Sequence, residues 1–510
     1  MSRRSSPFRR TRTAIALAVT AALLLTGCAS GSSGASASRD LTIGVVTEPE
    51  KSPDPIVDGS LAGYNIYYNL FDQLTKLNAD GEIEPSLATD WAPNADFTEW
   101  TFHLRDDVTF QDGSPLTAED VAFTYDTVLK TPDSDNLGYM GMLESVSAPD
   151  AKTVVFTLNS PFSPWPSITT AQSIVPKAVY QALGSEGFAK APVGSGPFSF
   201  VSWTRGVDYV LTRNDNYWGA KPQVEKLTFQ TVSDEEARLN GVTSGSLDIA
   251  LISPRQVDSV TGTGVQVVSR ASNGVSFLGI NSTKGPLADS RVRLAIWHAI
   301  DREKLVSTVL DGRAVANDQI VAPNVTGHVD GISGPAYDPA LAKSLLAEAG
   351  YDGTEITFEY ATSGRIPMSS EIAQAIAGYL DAVGIKVKLV GMDQSSLSGR
   401  IYGTVDMAGI YLNTWAPSTM DGDMPVTNMF AGGQNDYAKS AETAALVDAQ
   451  RGVDGADRTA VFGKLAQANF DAAYLIPLFT PEASYAVAQG INWTPRVDGE
   501  FSLADVTFTG

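Results

Sequence analysis

The sequence predicts an α/β protein built as two lobes. Short stretches with apolar residues at period two, typical of strands, are interspersed with longer stretches at helical spacing that carry capping residues at their ends. This alternation is typical of α/β lobes and not of a helical bundle or a β-sandwich. The chain of 510 residues is also long enough to form at least two hydrophobic cores.

The N-terminal segment predicts export and lipid attachment. Five arginines precede an apolar run at residues 14–25, which is too short to span a bilayer as a stable helix, so residues 1–27 are predicted to be a signal peptide. The run ends in Leu25-Thr-Gly-Cys28, which resembles a bacterial lipobox and predicts that Cys28 is acylated. The alternative is a lone cysteine after an ordinary cleavage site. Cys28 is the only cysteine, so no intramolecular disulfide can form.

Residues 28–40 are predicted to be the lipidated cysteine and a flexible tether, because residues 29–38 are almost entirely Gly, Ser and Ala. We expect the globular part to be anchored on the outer, periplasmic face of the cytoplasmic membrane, with the lipid as its only membrane attachment. The first 27 residues carry five arginines and no acidic residue, so the net charge is −27 from Cys28 onward and −22 overall. This charge argues against nucleic acid as a partner and favours solubility over an acidic recognition surface.

Three strands and a helix are predicted in the first half. Residues 41–45, 100–104 and 153–158 alternate as strands do. Thr117 and Asp120 form a capping box at the start of a helix. The residues expected on its buried face are Val121, Tyr125, Val128 and Leu129.

Three helices and a further strand are predicted in the second half. One begins after Asp338 and stops at Gly350, and another runs from Ser370 to Gly384 and leads into a strand. A third runs from Asp289 to near Gly312. The residues expected to be buried on these helices are Leu341, Leu345, Leu346 and Ala349; Ile372, Ile376, Tyr379, Leu380 and Val383; and Val292, Ile296, Ala299 and Ile300. In the strand, Ile385, Val387 and Leu389 alternate.

Short fragments along most of the chain carry a further signal through their order and spacing. Those in the first third are Leu70-Phe-Asp-Gln-Leu-Thr75, Ile83-Glu-Pro-Ser-Leu-Ala88, Val108-Thr-Phe-Gln-Asp-Gly113 and Pro115-Leu-Thr-Ala-Glu-Asp-Val121. Those that follow are Gly194-Ser-Gly-Pro-Phe198, Asn216-Tyr-Trp218, Gly245-Ser-Leu-Asp248, Pro286-Leu-Ala-Asp289 and Ala342-Lys-Ser-Leu-Leu-Ala-Glu-Ala-Gly350. Together they resemble the extracellular solute-binding proteins of family 5, which serve peptide and nickel ABC importers.

The resemblance implies a periplasmic-binding-protein-like fold, in which two α/β lobes joined by a hinge close over a solute and the first lobe carries an extra subdomain. The first lobe is expected to comprise residues 41–273 and 483–510, with the subdomain at about 62–190, and the second lobe residues 274–482. A cleft between lobes can bury most of a small molecule.

The function implied is that of a monomeric binding protein, without catalytic activity or a cofactor, that delivers a small solute to the permease subunits of an ABC importer. A peptide or a related carboxylate-bearing compound is the expected ligand, while nickel chelates, opines and oligosaccharides stay open because fold alone does not choose between them. The three histidines are not spaced as metal ligands are, and the sequence contains no Walker loop and no zincin motif. A secreted, membrane-tethered hydrolase of peptides or glycans is the alternative, and signalling through the same fold is a third interpretation.

Arg365 is the first candidate for ligand binding. It lies in Thr362-Ser-Gly-Arg365, between a predicted strand and the helix from Ser370, where it resembles the arginine that dipeptide-binding relatives use to pair with a ligand carboxylate. A guanidinium suits this task because its planar fork of donors meets a carboxylate at two points. A solvated loop arginine is the alternative.

The segment after a later predicted strand resembles the family's tryptophan segment. Trp415 is expected to cover the ligand or to lie in the core. Relatives that bind peptides place an ammonium-binding aspartate three residues after this tryptophan, where this chain has Ser418, so Asp421 or Asp423 is a candidate substitute.

A loop after the first strand contributes the last two candidates. Glu48 and Asp54 lie in a proline-rich stretch that resembles the family's loop at the edge of the cleft. A turn built by prolines is the alternative.

Overall fold

Two mixed sheets in this computed structural model share one long strand, Leu475–Ala488. Its first half, up to Pro481, pairs with the strands at 275–280 and 314–316, and its second half pairs with those at 249–252 and 265–271. The structure describes residues 39–49, 51–260, 262 and 264–509. The predicted signal peptide, Cys28 and nearly all of the predicted tether lie outside the described residues.

The described strands and helices alternate along the chain. The strands are β1 (Asp40–Val45), β2 (Thr75–Leu77), β3 (Ile83–Pro85), β4 (Ala88–Pro93), β5 (Glu99–Leu104), β6 (Leu143–Asp150), β7 (Thr153–Leu158), β8 (Phe198–Thr204), β9 (Asp208–Arg213), β10 (Lys226–Thr231), β11 (Ile249–Ile252), β12 (Val265–Ala271), β13 (Val275–Ile280), β14 (Ala314–Ala316), β15 (Ile356–Ala361), β16 (Val387–Met392), β17 (Ile410–Trp415), β18 (Leu475–Ala488), β19 (Ile491–Asn492) and β20 (Thr507–Phe508).

The helices are α1 (Leu61–Leu70), α2 (Ala118–Leu129), α3 (Trp165–Ile168), α4 (Lys177–Lys190), α5 (Glu235–Ser244), α6 (Ser290–Ala299), α7 (Arg302–Val309), α8 (Pro339–Glu348), α9 (Ser369–Ala382), α10 (Gln394–Ser398), α11 (Asp423–Phe430), α12 (Ala441–Arg451) and α13 (Gly455–Ala472).

Each sheet belongs to one lobe with its own core. The first lobe has the strand order β18-β11-β1-β10-β9-β8 and also holds a four-stranded antiparallel sheet, β4-β5-β7-β6, against which α2 packs. The second lobe has the order β16-β15-β17-β13-β18. The largest two clusters of buried apolar side chains lie one in each lobe. The residue boundaries given above for the lobes and the subdomain stay predictions.

Local sequence signals placed most of the predicted elements correctly. β1, β5 and β7 cover the three predicted strands of the first half. At the start of α2, the Asp120 carboxylate accepts hydrogen bonds from the backbone N and the Oγ1 of Thr117, both at 2.9 Å. At the start of α8, Asp338 accepts from the backbone N–H groups of Ala340 and Leu341. Helix α9 and strand β16 also follow the prediction to within about two residues.

The predicted helix from Asp289 to Gly312 is wrong, because the chain forms two helices there. Helix α6 ends at Ala299, and Ile300 takes an extended conformation. The Asp301 carboxylate then accepts a hydrogen bond from the backbone N of Lys304 at 2.9 Å and starts α7. An aspartate whose side chain accepts a hydrogen bond from a free backbone N–H group favours the start of a new helix over a position inside an existing one.

The predicted buried stripe of α8 is also partly wrong. Leu341 is exposed, whereas Ala342 and Leu346 are the buried residues of this helix. The predicted stripe is displaced around the helix axis by about one residue position from the observed one. Helix α8 packs against α6 through the face that carries Ala342.

Several of the resembling fragments meet at one junction in the first lobe. Asp72 is buried and accepts hydrogen bonds from Ser195 Oγ at 2.8 Å, Trp218 Nε1 at 2.9 Å and Tyr217 Oη at 3.1 Å. Burial raises the pKa of Asp72, and these three donors oppose the rise. The fragments around residues 72, 195 and 217 therefore stabilise the lobe.

Two glycines allow the backbone segments at this junction to approach each other closely. A Cβ on Gly194 would lie 1.9 Å from the carbonyl oxygen of Leu70, and a Cβ on Gly196 would lie 2.6 Å from the carbonyl carbon of the same residue. Gln111 fills the remaining space, and its Nε2 donates to the carbonyl of Phe198 at 2.8 Å. The glycines at 194 and 196 are thus required by close backbone approach.

Across residues 39–509, leaving aside the three that are not described, we find no helix with the length and apolar character needed to cross a membrane.

Candidate functional site

The carboxyl ends of three parallel strands lie along one edge of the second lobe's sheet. β15 pairs in parallel with both β16 and β17, so the loops that leave these strands are neighbours. Arg365, Gln394 and Trp415 lie at or just after the ends of these strands. Ligands of open α/β sheets bind in the crevice outside the carboxyl ends of the strands. This edge is therefore the candidate ligand-binding face of the second lobe.

Arg365 is exposed at this edge. Its backbone N donates to Oε1 of Gln394 at 3.3 Å, which holds the loop near the end of β16. The guanidinium has no ion pair or hydrogen bond within the described residues. Its donors are thus free to meet an anionic group, and its role in ligand binding stays a prediction.

Trp415 and Ser418 lie where this edge approaches the first lobe. Trp415 is half-buried at the end of β17, and its ring makes an edge contact with Tyr402, with the centroids 6.5 Å apart. Ser418 Oγ lies 3.4 Å from the hydroxyl of Tyr139, which belongs to the first lobe. The carbonyl of Pro417 accepts a hydrogen bond from Asn273 Nδ2 at 2.9 Å.

Asp421 and Asp423 are both buried and paired inside the second lobe. The two carboxylate oxygens of Asp421 accept from the guanidinium of Arg458 at 2.6 and 2.7 Å. Asp423 accepts from Arg451 Nε at 2.7 Å and from Gln450 Nε2 at 2.5 Å. Because their oxygens already have cationic or amide partners, we do not include these two residues in the proposed ligand site.

Asp54 lies inside the first lobe. It is fully buried and accepts from Ser185 Oγ at 2.5 Å, Tyr180 Oη at 2.7 Å and the backbone N of Ile56 at 2.9 Å. Burial raises the pKa of Asp54, and these hydrogen bonds oppose the rise. These hydrogen bonds indicate that Asp54 fixes the loop after β1.

Glu48 lies at the surface of the first lobe, near the carboxyl ends of β1 and β10. Its Oε2 accepts from the backbone N of Gly206 at 2.8 Å, and Arg205 lies 3.7 Å from its other oxygen. With Trp203 it lines a shallow depression in that lobe. The structure does not bring Glu48 into contact with Arg365 or the Trp415 segment.

Polar contacts join the two lobes around the cleft. Arg255 pairs with Glu371, in the first turn of α9, at 2.6 Å. Elsewhere Ser163 donates two hydrogen bonds to the second lobe. Its backbone N donates to the carbonyl of Arg451 at 2.7 Å, and its side-chain Oγ donates to the carbonyl of Val453 at 2.6 Å. Separation of the lobes would break these contacts.

Sequence reasoning missed a group of buried and half-buried side chains on the first lobe's side of Ser418. It consists of Tyr64, Tyr68, Tyr139 and Glu500, which we call the acid–tyrosine cluster. Tyr64 and Tyr68 lie one turn apart on α1, and their rings stack 5.6 Å apart. The spacing of the two tyrosines was visible in the sequence but is also typical of core residues. Nothing local to Glu500 predicts that a turn from the far end of the chain buries it.

No group of three or more His, Cys, Asp or Glu side chains is placed to hold a metal ion in the described part of the chain.

Comparisons with known proteins agree with this geometry. Residues 82–437 match the model of the bacterial extracellular solute-binding proteins, family 5. The chain is 27% identical over 489 residues to the probable D,D-dipeptide-binding periplasmic protein DdpA of Escherichia coli K12, covering 91% of this chain and 93% of the relative.

Two solved structures show the same two-lobed fold. The substrate-binding protein CtaP of Listeria monocytogenes superposes with a TM-score of 0.84 at 24% identity, covering 92% of this chain and 99% of that one. AgaA of A. tumefaciens R10, solved with agropinic acid, superposes with a TM-score of 0.77 at 26% identity, with the same coverage.

Arg458→Ala tests whether Asp421 is a structural residue. Removing one partner of a buried ion pair leaves an uncompensated charge, so we expect the free energy of unfolding to fall by about 3 to 5 kcal/mol. Urea unfolding followed by circular dichroism measures this change. The matched control is Lys130→Ala, which removes the exposed partner of Asp126 and should leave the unfolding midpoint nearly unchanged. If Arg458→Ala is as stable as the wild type, Asp421 becomes a candidate for ligand binding again.

Proposed function

Because the chain belongs to family 5 of the bacterial extracellular solute-binding proteins, we propose that it binds a peptide or a related carboxylate-bearing solute and delivers it to an ABC importer. The observation that carries this ligand class is the exposed Arg365 guanidinium, unpaired within the described residues, at the carboxyl edge of the second sheet. In a chain whose net charge is −22, a cation without an ion-pair partner among the described residues is well suited to bind an anionic solute.

The relatives support the same class of ligand. DdpA is named as a probable D,D-dipeptide-binding protein, and AgaA was solved with agropinic acid, whose name describes an acid. A dipeptide and an organic acid share the carboxylate that a guanidinium recognises at two points. Nothing in the comparisons supports the hydrolase alternative, and we do not propose it.

Binding is proposed to act through lobe closure. A solute held by Arg365 on one side and by first-lobe groups on the other interacts with the closed state and not with the open one. Such a differential interaction shifts the population toward closure. The permease subunits would then distinguish the closed, loaded monomer from the open, empty one.

Substitution of Arg365 tests the ligand class. The probes are L-Ala-L-Ala and D-Ala-D-Ala, each compared with its C-terminal amide by calorimetric titration. Arg365→Ala should weaken binding of the free acids by about 30-fold or more, because a desolvated carboxylate loses its partner at a cost of about 2 to 5 kcal/mol. Arg365→Lys should recover only part of this loss, since an ammonium keeps the charge but lacks the fork.

The amides provide the control for this experiment. Their weaker binding should be nearly the same in the wild type and in Arg365→Ala, because they lack the carboxylate. Equal affinity of the free acids for wild type and Arg365→Ala would remove Arg365 from the site. A wild type that binds none of these probes would contradict the proposed dipeptide ligands.

The membrane anchor is a separate proposal. Support comes from the basic head, the apolar run at residues 14–25 and the Leu25-Thr-Gly-Cys28 sequence. We propose that the lipid on Cys28 holds the protein on the outer face of the cytoplasmic membrane. A lipid anchor keeps the binding protein near its transporter without a protein segment in the membrane.

Cys28→Ala is expected to release the protein from the membrane fraction, because the lipid is proposed to be its only attachment. Fractionation and immunoblotting of cells that express the full chain measure the release. Ser30→Ala, two residues further on, is the control and should stay with the membranes. If Cys28→Ala sediments with membranes as the wild type does, the lipoprotein proposal is wrong.

A further inference from the structure

Glu500 is a buried acid with an unsatisfied carboxyl oxygen in the described part of the chain. The residue is 3% exposed, and its Oε2 has no partner among the described residues. Burial raises the pKa of Glu500 well above its usual range; the charge of Asp498 adds to the rise, and Arg496 opposes it. Buried polar atoms in native proteins nearly always have partners. The position of this carboxyl group therefore requires an explanation.

Arg496, whose charge acts on Glu500, does not supply the missing partner. Arg496 directs Nε and Nη2 to the carboxylate of Asp498, at 3.0 and 2.5 Å. Its Nη1 donates to the carbonyl of Leu77 at 2.8 Å. Arg496 and Asp498 neutralise each other, so an ionised Glu500 leaves one net negative charge in this buried region.

The C-terminal segment that carries Glu500 is fixed against α1. The backbone N of Phe501 donates to Asn65 Oδ1 at 2.8 Å, and the carbonyl of Phe501 accepts from Asn69 Nδ2 at 2.5 Å. The backbone N of Leu503 donates to Asn69 Oδ1 at 3.0 Å. These bonds hold Glu500 beside the helix that carries Tyr64 and Tyr68.

The negative charge of Glu500 acts on the three tyrosines of the cluster and also on Tyr485. Burial raises the pKa of Tyr64, Tyr68 and Tyr139, and the negative charge of Glu500 contributes to the rise in each case. The Tyr68 hydroxyl is itself buried and has no hydrogen-bond partner in the described part of the chain. The Glu500 carboxyl group and the Tyr68 hydroxyl can thus each form a further hydrogen bond.

The cluster adjoins the segment in which the second lobe was expected to hold its ammonium-binding aspartate. The Tyr139 hydroxyl lies 3.4 Å from Ser418 Oγ, and the neighbouring Thr419 Oγ1 is buried without a partner within the described residues. Asn273 joins the two segments, because its backbone N donates to the carbonyl of Val497 at 3.0 Å while its side chain donates to that of Pro417.

We propose that Glu500, with the hydroxyls of Tyr64, Tyr68 and Tyr139, binds the cationic group of the solute next to Ser418. For a peptide this group is the terminal ammonium, so the inference rests on the proposed function and extends it. Ser418 carries no charge, and Asp421 and Asp423 are already paired. The acid that accepts the ammonium then comes from the first lobe, while Arg365 of the second lobe binds the carboxylate.

Glu500→Gln tests this assignment, because glutamine keeps the shape and removes the charge. The probes are L-Ala-L-Ala and D-Ala-D-Ala and their N-acetyl derivatives, titrated calorimetrically against the full chain. We expect Glu500→Gln to weaken binding of the free-amine dipeptides by about 30-fold or more. The N-acetyl dipeptides should bind the variant no more weakly than they bind wild type.

Thermal unfolding without solute separates a binding role from a structural one. Glu500→Gln should have a Tm equal to or above that of wild type, because it removes the cost of a buried unpaired acid. Asp72→Asn is the matched control. It changes a buried first-lobe carboxylate with three side-chain donors, so it should lower Tm and leave affinity unchanged.

Two results overturn the assignment. Glu500→Gln that binds the free-amine dipeptides as tightly as wild type excludes Glu500 from the site while the proposed peptide function stands. A wild type that binds neither the free-amine nor the acetylated dipeptides contradicts the dipeptide function itself, and the ammonium role of Glu500 with it.

Discussion

The strand β18 is the constraint on which the two-lobed arrangement depends. It pairs with β13 and β14 in its first half and with β11 and β12 in its second, so one continuous backbone is bonded into both sheets. The change occurs between Pro481 and Glu482, and the neighbouring connection between β12 and β13 is only three residues long. With so little chain between the sheets, rotation about these two connections is the simplest movement that opens the cleft.

The distribution of charge gives the cleft its specificity. The acids that support the architecture have partners: Asp72 and Asp54 accept from hydroxyl, indole and backbone donors, and Asp421 pairs with Arg458. Glu500 differs because one of its buried oxygens has no described partner. Arg365 differs in the opposite sense, since it is a cation without an ion-pair partner in the described chain. A solute with a cationic and an anionic end would satisfy both groups and hold the lobes together.

The sequence predicted the fold class and most local elements because these depend on short-range patterns. Caps such as Thr117 and Asp338 mark helix starts through side-chain bonds within three residues. The break between α6 and α7 escaped prediction because the apolar periodicity continues across Ile300, and only the Asp301 cap separates the helices. The family resemblance added the two-lobed arrangement, which periodicity alone does not determine.

The candidate site was less predictable, because it depends on contacts between distant segments. Arg365 lies on the expected edge of the sheet, but the pairing of Asp421 with Arg458 spans 37 residues and has no local signal. The approach of Glu500 to Tyr64 spans more than 400 residues and depends on the whole first lobe. Residue type alone did not distinguish Asp54, which is enclosed, from Glu48, which is at the surface.

Closure of the lobes around a solute is the central claim, and a distance across the cleft tests it most directly. Nitroxide labels at Asn159→Cys and Asp448→Cys, in a chain with Cys28→Ser, would lie on opposite sides of the contact between Ser163 and Arg451. Pulsed electron paramagnetic resonance should show a longer distance without solute and a single short distance with saturating D-Ala-D-Ala or L-Ala-L-Ala. An unchanged distance distribution, in a sample that calorimetry shows to be loaded, would contradict capture by lobe closure.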